Sequence, residues 1–139
     1  MNIPVSIVIP VKNDARNLAE CLPLLSDFDD VQIVDSGSTD ETVKVGAKWH
    51  RPIVRFRWNG QFPKKRNWAL RTLTFKYPWV MFLDADERMT NAFKQELATF
   101  LASKEAERCD VIRCYYDNWF MVQMLQHGDV MQKTASRTL

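Results

Sequence analysis

Two carboxylates, Asp84 and Asp86, close an apolar run in the stretch WVMFLDADERM, residues 79–89. The run before them is short, partly β-branched and aromatic, and follows Pro78, which predicts a buried strand over 79–84. The interior of a sheet has no use for a charge, so the strand delivers Asp84, Asp86 and Glu87 to an edge where something cationic waits. On an extended chain, residues two apart point to the same side, and two carboxylates so placed repel unless a cation sits beside them. Mg²⁺ or Mn²⁺ suits such a pair, because these ions take few carboxylates and complete their shell with phosphate oxygens and water. The other reading of Asp-x-Asp is two solvated turn carboxylates that cap the next helix.

Two more polar clusters stand at comparable places. Asp35 ends the apolar run VQIVD (31–35) and is followed by Ser36-Gly37-Ser38-Thr39-Asp40. A carboxylate there can accept from a base N–H or a ribose hydroxyl, and Gly37 lets the backbone come close. The same residues also supply helix caps, and the two roles coexist. Lys64-Lys65-Arg66-Asn67, with Arg71 one turn on, opens a helix whose free N–H groups and cations favour a phosphate. A wet helix face accounts for the basic residues equally well, and least well for Asn67.

The elements that must position these groups alternate along the chain. Residues 3–11 (IPVSIVIPV) read as a fully buried strand. Asn13 or Asp14 caps a helix with apolar positions Leu18, Cys21, Leu22 and Leu25, which Pro23 breaks near Leu22. After the 31–35 strand, Ser38 and Glu41 are spaced as a capping box for a helix to about Ala47. Residues 53–58 alternate as a more exposed strand, and the basic helix spans about 64–76. Beyond the 79–84 strand, Phe93, Leu97, Phe100 and Leu101 mark an amphipathic helix, with a strand near 109–117. Past residue 118 the pattern fits strand or helix. The order predicts an α/β fold, a doubly wound, mostly parallel sheet with helices on both faces. Ligands of such sheets bind at the carboxyl ends of the strands, where Pro10-Val11-Lys12-Asn13, Asp35-Ser36-Gly37-Ser38 and Asp84-Ala85-Asp86 converge. The 3–11 and 79–84 strands are expected to be neighbours, so that Asn13 and Asp84 share one crevice.

Composition sets the outer bounds. The 139 residues are 46% hydrophobic and 26% charged, which fits one globular domain without a linker. A net charge of +2 gives no bulk argument for nucleic acid or a membrane surface. Three scattered cysteines predict reduced thiols in a cytoplasmic setting, and the spacing of Cys and His argues against zinc. No apolar run approaches the ~20 residues that span a bilayer, so any membrane association is expected to be peripheral and to come from a partner, a substrate or sequence not present here.

Taken in order, IVIPVKND, VDSGSTDET (34–42), RNWAL (66–70) and WVMFLDADE (79–87) resemble the nucleotide-binding half of family 2 glycosyltransferases with the GT-A (Rossmann-like) fold. The likeness runs over roughly residues 3–103. It is strongest to bacterial lipopolysaccharide-core glucosyltransferases, in which a W-x-G loop precedes a Lys-Asn-x-Ala helix; here these are Trp58-Asn59-Gly60 and Arg66-Asn67-Trp68-Ala69. The resemblance implies that Pro10, Val11 and Asn13 line the nucleoside pocket and that Asp35, beside Ser36, binds the base. It places Arg66 and Asn67 near the nucleotide, Asp84 with Ala85 at the ribose, and a divalent metal (Mn²⁺ or Mg²⁺) on Asp86. Ser36 stands where the motif often carries a second Asp.

The activity so implied is inverting transfer of a sugar from a nucleotide-diphosphate sugar donor to a glycan or glycolipid acceptor, in cell-surface or lipopolysaccharide synthesis. The resemblance also implies one GT-A-type domain over 1–139 that is incomplete at its C-terminus. The acceptor-binding part and catalytic base would lie further on, with HGDVMQK (127–133) as their lead-in. Asp117 and Asp129 are present, but no motif makes either the base. Two alternatives stay open: a fragment that binds nucleotide-sugar without turnover, and a nucleotidyltransferase. A phosphatase of the haloacid-dehalogenase type would carry its Asp-x-Asp on an early strand, not before Glu87-Arg88 on a fourth. Serine hydrolysis lacks a G-x-S-x-G.

Overall fold

The computed structural model describes residues 2–57, 65–116, 119–120, 123–124 and 131–137. The elements are β1 (Ser6–Val11), α1 (Ala15–Cys21) with a 3-10 turn (Leu22–Leu25), β2 (Val31–Asp35), α2 (Thr42–Lys48) and β3 (Ile53–Arg55). Then follow α3 (Lys65–Thr72), β4 (Trp79–Phe82), α4 (Asn91–Leu101), α5 (Glu105–Arg108) and β5 (Val111–Tyr116). Two short strands, β6 (Trp119–Phe120) and β7 (Gln123–Met124), pair with each other, and β8 (Met131–Arg137) returns to the main sheet.

The main sheet has the order β3-β2-β1-β4-β8-β5. The first four strands are parallel, and β8 runs antiparallel between β4 and β5. The alternation of apolar residues on two-sided strands explains why helices cover both faces. Ile7, Ile9, Ile33, Met81 and Leu83 point into one core cluster, shared with Leu18 of α1 and Leu97 of α4. Val8, Val34 and Val80 point into the other, where Ala69 of α3 and Phe56 close it.

The chain winds from β1 through β2 to β3 on one side, then returns across β1 to β4 on the other. A topological switch point therefore lies between β1 and β4, and these strands are neighbours as expected. Pro10 sits where the two diverge. The N–H of Ile7 and the C=O of Val11 bond toward β2, whereas the C=O of Val8 accepts from Leu83 on the β4 side. By this alternation the missing N–H of Pro10 faces β4, beyond the last paired residues Val8 and Phe82. The sheet opens there without an orphaned donor.

Several local expectations are corrected. The capping box does not form: α2 starts at Thr42, with no side-chain cap bond at Glu41, because Ser38 is spent on Asp35. Neither Asn13 nor Asp14 caps α1 through its side chain; Asp14 accepts from Asn17, and Asp40 accepts from the Ala15 N–H at 3.4 Å. The strand expected over 79–84 ends at Phe82, and the basic helix ends at Thr72. Of HGDVMQK, residues 131–133 begin β8 and residues 127–130 lie outside the described residues. Trp58, Asn59, Gly60, Lys64, Asp117 and Asp129 lie outside the described residues.

Candidate functional site

Asp35 ends β2 almost fully buried, at 1% exposure. Its Oδ2 accepts from the backbone N–H groups of Gly37 and Ser38, both at 3.0 Å, and its Oδ1 accepts from the Ser38 hydroxyl. Gly37 adopts φ +89, a left-handed conformation that an L side chain would strain, so a glycine lets the turn close on the carboxylate. Burial pushes the Asp35 carboxyl up. The Ser38 hydroxyl, the two N–H groups and the charge of Lys65 together outweigh this and hold it below the usual carboxylate range.

Asn13, also left-handed at φ +49, ties the β1 end to this turn. Its N–H donates to Ser38 Oγ at 2.8 Å, while its Oδ1 accepts from the N–H of Thr39 at 2.7 Å and of Asp40 at 3.3 Å. The Val11 carbonyl accepts from the Ser36 N–H at 3.0 Å and from Lys65 Nζ at 2.8 Å. One lysine thus pins the start of α3 to the end of β1. Burial pulls the Lys65 ammonium below its ordinary value, with Asp35 opposing and Lys12 adding to the depression.

A cleft of about 790 Å³ opens over these strand ends, lined by Lys12, Ser36, Gly37, Ser38, Arg55, Phe56, Arg57 and Lys65. Four cations, Lys12, Arg55, Arg57 and Lys65, stand in this lining, an arrangement suited to an anionic, hydrogen-bonding ligand. Of the clusters singled out from sequence, Lys12, Ser36, Gly37, Ser38 and Lys65 line this cleft. Arg55, Phe56 and Arg57 were missed, although they end β3 and the strand-end rule applies to them equally.

On the other side of the switch point, the chain is not extended across Asp84 and Asp86. The N–H of Glu87 donates to the Asp84 carbonyl at 2.9 Å, and Glu87 Oε1 accepts from the Asp84 N–H at 2.7 Å, which makes a turn. Arg88 clamps that turn to α1: Nη1 donates to the Ala85 carbonyl at 2.6 Å, and Nη2 donates to Glu20 at 2.8 Å and Asn17 at 3.1 Å. Ala85 is buried in the core, whereas Asp84 is half-buried and Asp86 exposed. Asp84 Oδ1 pairs with Arg66 Nη2 at 3.1 Å. Asn67 is exposed on the same first turn of α3.

The helix α3 therefore spans the two halves of the site. Lys65 lines the cleft and Arg66, the next residue, holds Asp84. Among the described residues no group of three or more His, Cys, Asp or Glu is placed to hold a metal. The donors present, the exposed Asp86 beside a half-buried Asp84, are hard oxygens. They fit a cation whose remaining ligands come from phosphate and water, and not a cage made by protein alone. No disulfide joins Cys21, Cys109 or Cys114, and among the described residues no helix is long and apolar enough to cross a membrane.

A model of Glycosyl transferase family 2 matches residues 6–138. The lipopolysaccharide core biosynthesis glycosyltransferase LpsC of Rhizobium meliloti (strain 1021) is 31% identical over 108 residues, covering 74% of this chain and 39% of that protein. Among solved structures, S. aureus TarS (residues 1–349) superposes with TM-score 0.61 at 25% identity, over 80% of this chain and 34% of that one. The mannosyltransferase PcManGT from Pyrobaculum calidifontis, in complex with GDP-Man and Mn²⁺, superposes with TM-score 0.54 at 22% identity, over 80% and 35% of the two chains. The chain spans 27–39% of the length of curated relatives such as LpsC. Its α/β fold is that of the GT-A glycosyltransferases, and the chain belongs to glycosyl transferase family 2.

Proposed function

We propose that this chain carries the donor site of an inverting glycosyltransferase, which moves a sugar from a nucleoside-diphosphate sugar to a hydroxyl of a glycan or glycolipid. One observation carries the reading: α3 bridges a cationic cleft at the ends of β1, β2 and β3 to the Asp84–Glu87 turn after β4. A ligand with a polar aromatic base at one end and a charged diphosphate at the other matches that layout. The likeness to LpsC favours lipopolysaccharide-type acceptors, handled at the inner face of a bacterial membrane.

In this reading the nucleoside lies against Pro10, Val11, Ser36 and Asp35, and Asn13 keeps the β1 and β2 loops together. Lys65 and Arg66 face the phosphates, with Asn67 at the same helix start. Asp84 and the Ala85 backbone border the ribose, and Asp86 would hold Mn²⁺ or Mg²⁺. PcManGT, similar in fold, is seen with such an ion and a nucleotide sugar.

As the glycosidic bond breaks, its electron pair leaves with the β-phosphate, and the acceptor oxygen forms the new bond from the opposite face while its proton passes to a base. The metal, when bound, supplies Lewis-acid neutralisation of the leaving phosphate without proton transfer. Lys65, pinned to the Val11 carbonyl, adds fixed positive charge beside the same group, the kind of preorganised term whose removal costs several kcal/mol of barrier.

The experiment is a melting-temperature screen of the chain against UDP, GDP, ADP and CDP, with Mn²⁺ or with chelator. A ligand present at ~100 times its Kd stabilises by about 2.7 kcal/mol, so one nucleoside diphosphate is expected to raise Tm clearly, and more with Mn²⁺. No shift with any of the four would overturn the proposal.

A further inference from the structure

We infer that Arg66 is a built-in counter-cation for the Asp84–Glu87 turn: it occupies Asp84 until a nucleoside diphosphate draws the guanidinium onto its phosphates. The inference rests on the donor-site reading above and concerns how that site exchanges one cation for another. Arg66 Nη2 lies 3.1 Å from Asp84 Oδ1, and its guanidinium carbon lies 5.3 Å from the centroid of the Phe82 ring. Charge and ring face together seat the arginine over the end of β4.

The two partners are held differently. The Asp84 backbone is fixed by its own turn, its N–H on Glu87 Oε1 and its carbonyl on the Glu87 N–H, so the base of its side chain stays in place when the arginine leaves. The start of α3 is fixed by Lys65 on the Val11 carbonyl. The Arg66 side chain is 55% exposed and its pair with Asp84 is 49% exposed on the acid side, so the contact is weak and reversible. A diphosphate offers the planar fork more charge and more oxygens than one carboxylate does, and so wins the guanidinium.

Two consequences follow. Without nucleotide, Arg66 and a divalent cation compete for the same edge, and the protein carries its own substitute for the metal. With nucleotide, the competitor moves away and its charge is satisfied elsewhere, so nucleotide and metal bind with positive coupling, each strengthening the other by the same factor.

The test follows Mn²⁺ binding to the full chain through the paramagnetic resonance signal of free Mn²⁺, with and without UDP. The variants are Arg66→Gln, Arg71→Gln as an equal charge change further along α3, and Arg66→Gln combined with Asp84→Asn. Arg66→Gln is expected to tighten binding of Mn²⁺ alone by about 2–5-fold, the range set by an exposed ion pair. Arg71→Gln should change it less, and adding Asp84→Asn should reverse the gain. UDP should then strengthen Mn²⁺ binding more in the unaltered chain than in Arg66→Gln. Equal Mn²⁺ affinity in the unaltered chain and Arg66→Gln, or equal effects of the two arginine changes, overturns the inference while leaving the donor site standing. No effect of UDP, GDP, ADP or CDP on Mn²⁺ binding to the unaltered chain overturns the donor-site reading and this inference with it.

Discussion

Replacing Asp35 with asparagine tests whether the β2 turn is organised by charge. The carboxylate accepts three hydrogen bonds, two from backbone N–H groups at 3.0 Å and one from the Ser38 hydroxyl, at a position with 1% exposure. A hydrogen bond to a charged acceptor contributes about 1.5–3 kcal/mol and a neutral one about 1. Asparagine keeps one oxygen but turns an NH₂ toward donors, so the net loss comes to about 3 kcal/mol. That is a large part of a domain's usual 5–15 kcal/mol, and about 10 °C in Tm for a chain of this size. The pH dependence gives a second readout. The folded pKa of Asp35 is depressed, so its contribution is present above the unfolded value near 4 and lost as pH falls through the lower folded value. The gap between the two proteins should therefore be full at pH 7 and narrow steadily in acid. Urea unfolding of both across that range is the assay. A gap under about 0.5 kcal/mol at neutral pH, or one that does not change with pH, would refute the reasoning.

Other elements predict their own outcomes. Lys94 is 5% exposed in α4, and its Nζ donates to the Leu24 carbonyl at 2.9 Å and to Asp27 at 2.8 Å. Lys94→Met fills the space but removes a charged donor from the Leu24 carbonyl and from Asp27, and should lower stability by about 2 kcal/mol in urea unfolding. His50 holds φ +54 past the end of α2, where its N–H and that of Arg51 bond back to Ala47 and Gly46. His50→Gly should raise stability by about 1 kcal/mol, measured the same way, because glycine adopts that conformation without the Cβ penalty.

The parts of the site legible from sequence are those that the strand-end rule reaches through a strongly apolar run. VQIVD and WVMFLD announce which strand ends carry Asp35 and Asp84, and both carboxylates stand at the carboxyl side of parallel strands. What escaped depends on which of several partners a polar group takes. Ser38 fits a capping box by spacing, yet three donors converging on a buried charge outweigh one cap bond. Arg55 and Arg57 escaped because β3 is only three residues long and reads as an exposed strand by alternation. The insertion of β8 escaped for a similar reason: MQKTASR has no apolar stripe to show which strand it joins. The extended geometry expected for Asp84 and Asp86 failed on Glu87, whose side chain and backbone both turn the chain.

The central claim is that Asp86 holds a cation bound to the diphosphate of a donor nucleotide. Its most direct measurement is calorimetric titration of the nucleoside diphosphate that the melting screen selects into the chain and into Asp86→Asn, each with Mn²⁺ and with chelator. Asp86 is exposed and makes no hydrogen bond or ion pair with the described residues, so the unliganded melting point should stay within about 0.5 kcal/mol of the original. The account predicts that Mn²⁺ strengthens nucleotide binding to the unaltered chain and that this gain disappears in Asp86→Asn. An asparagine variant that loses about 0.5–2 kcal/mol of stability, as a helix-capping carboxylate would, and keeps the full Mn²⁺-dependent gain would contradict it.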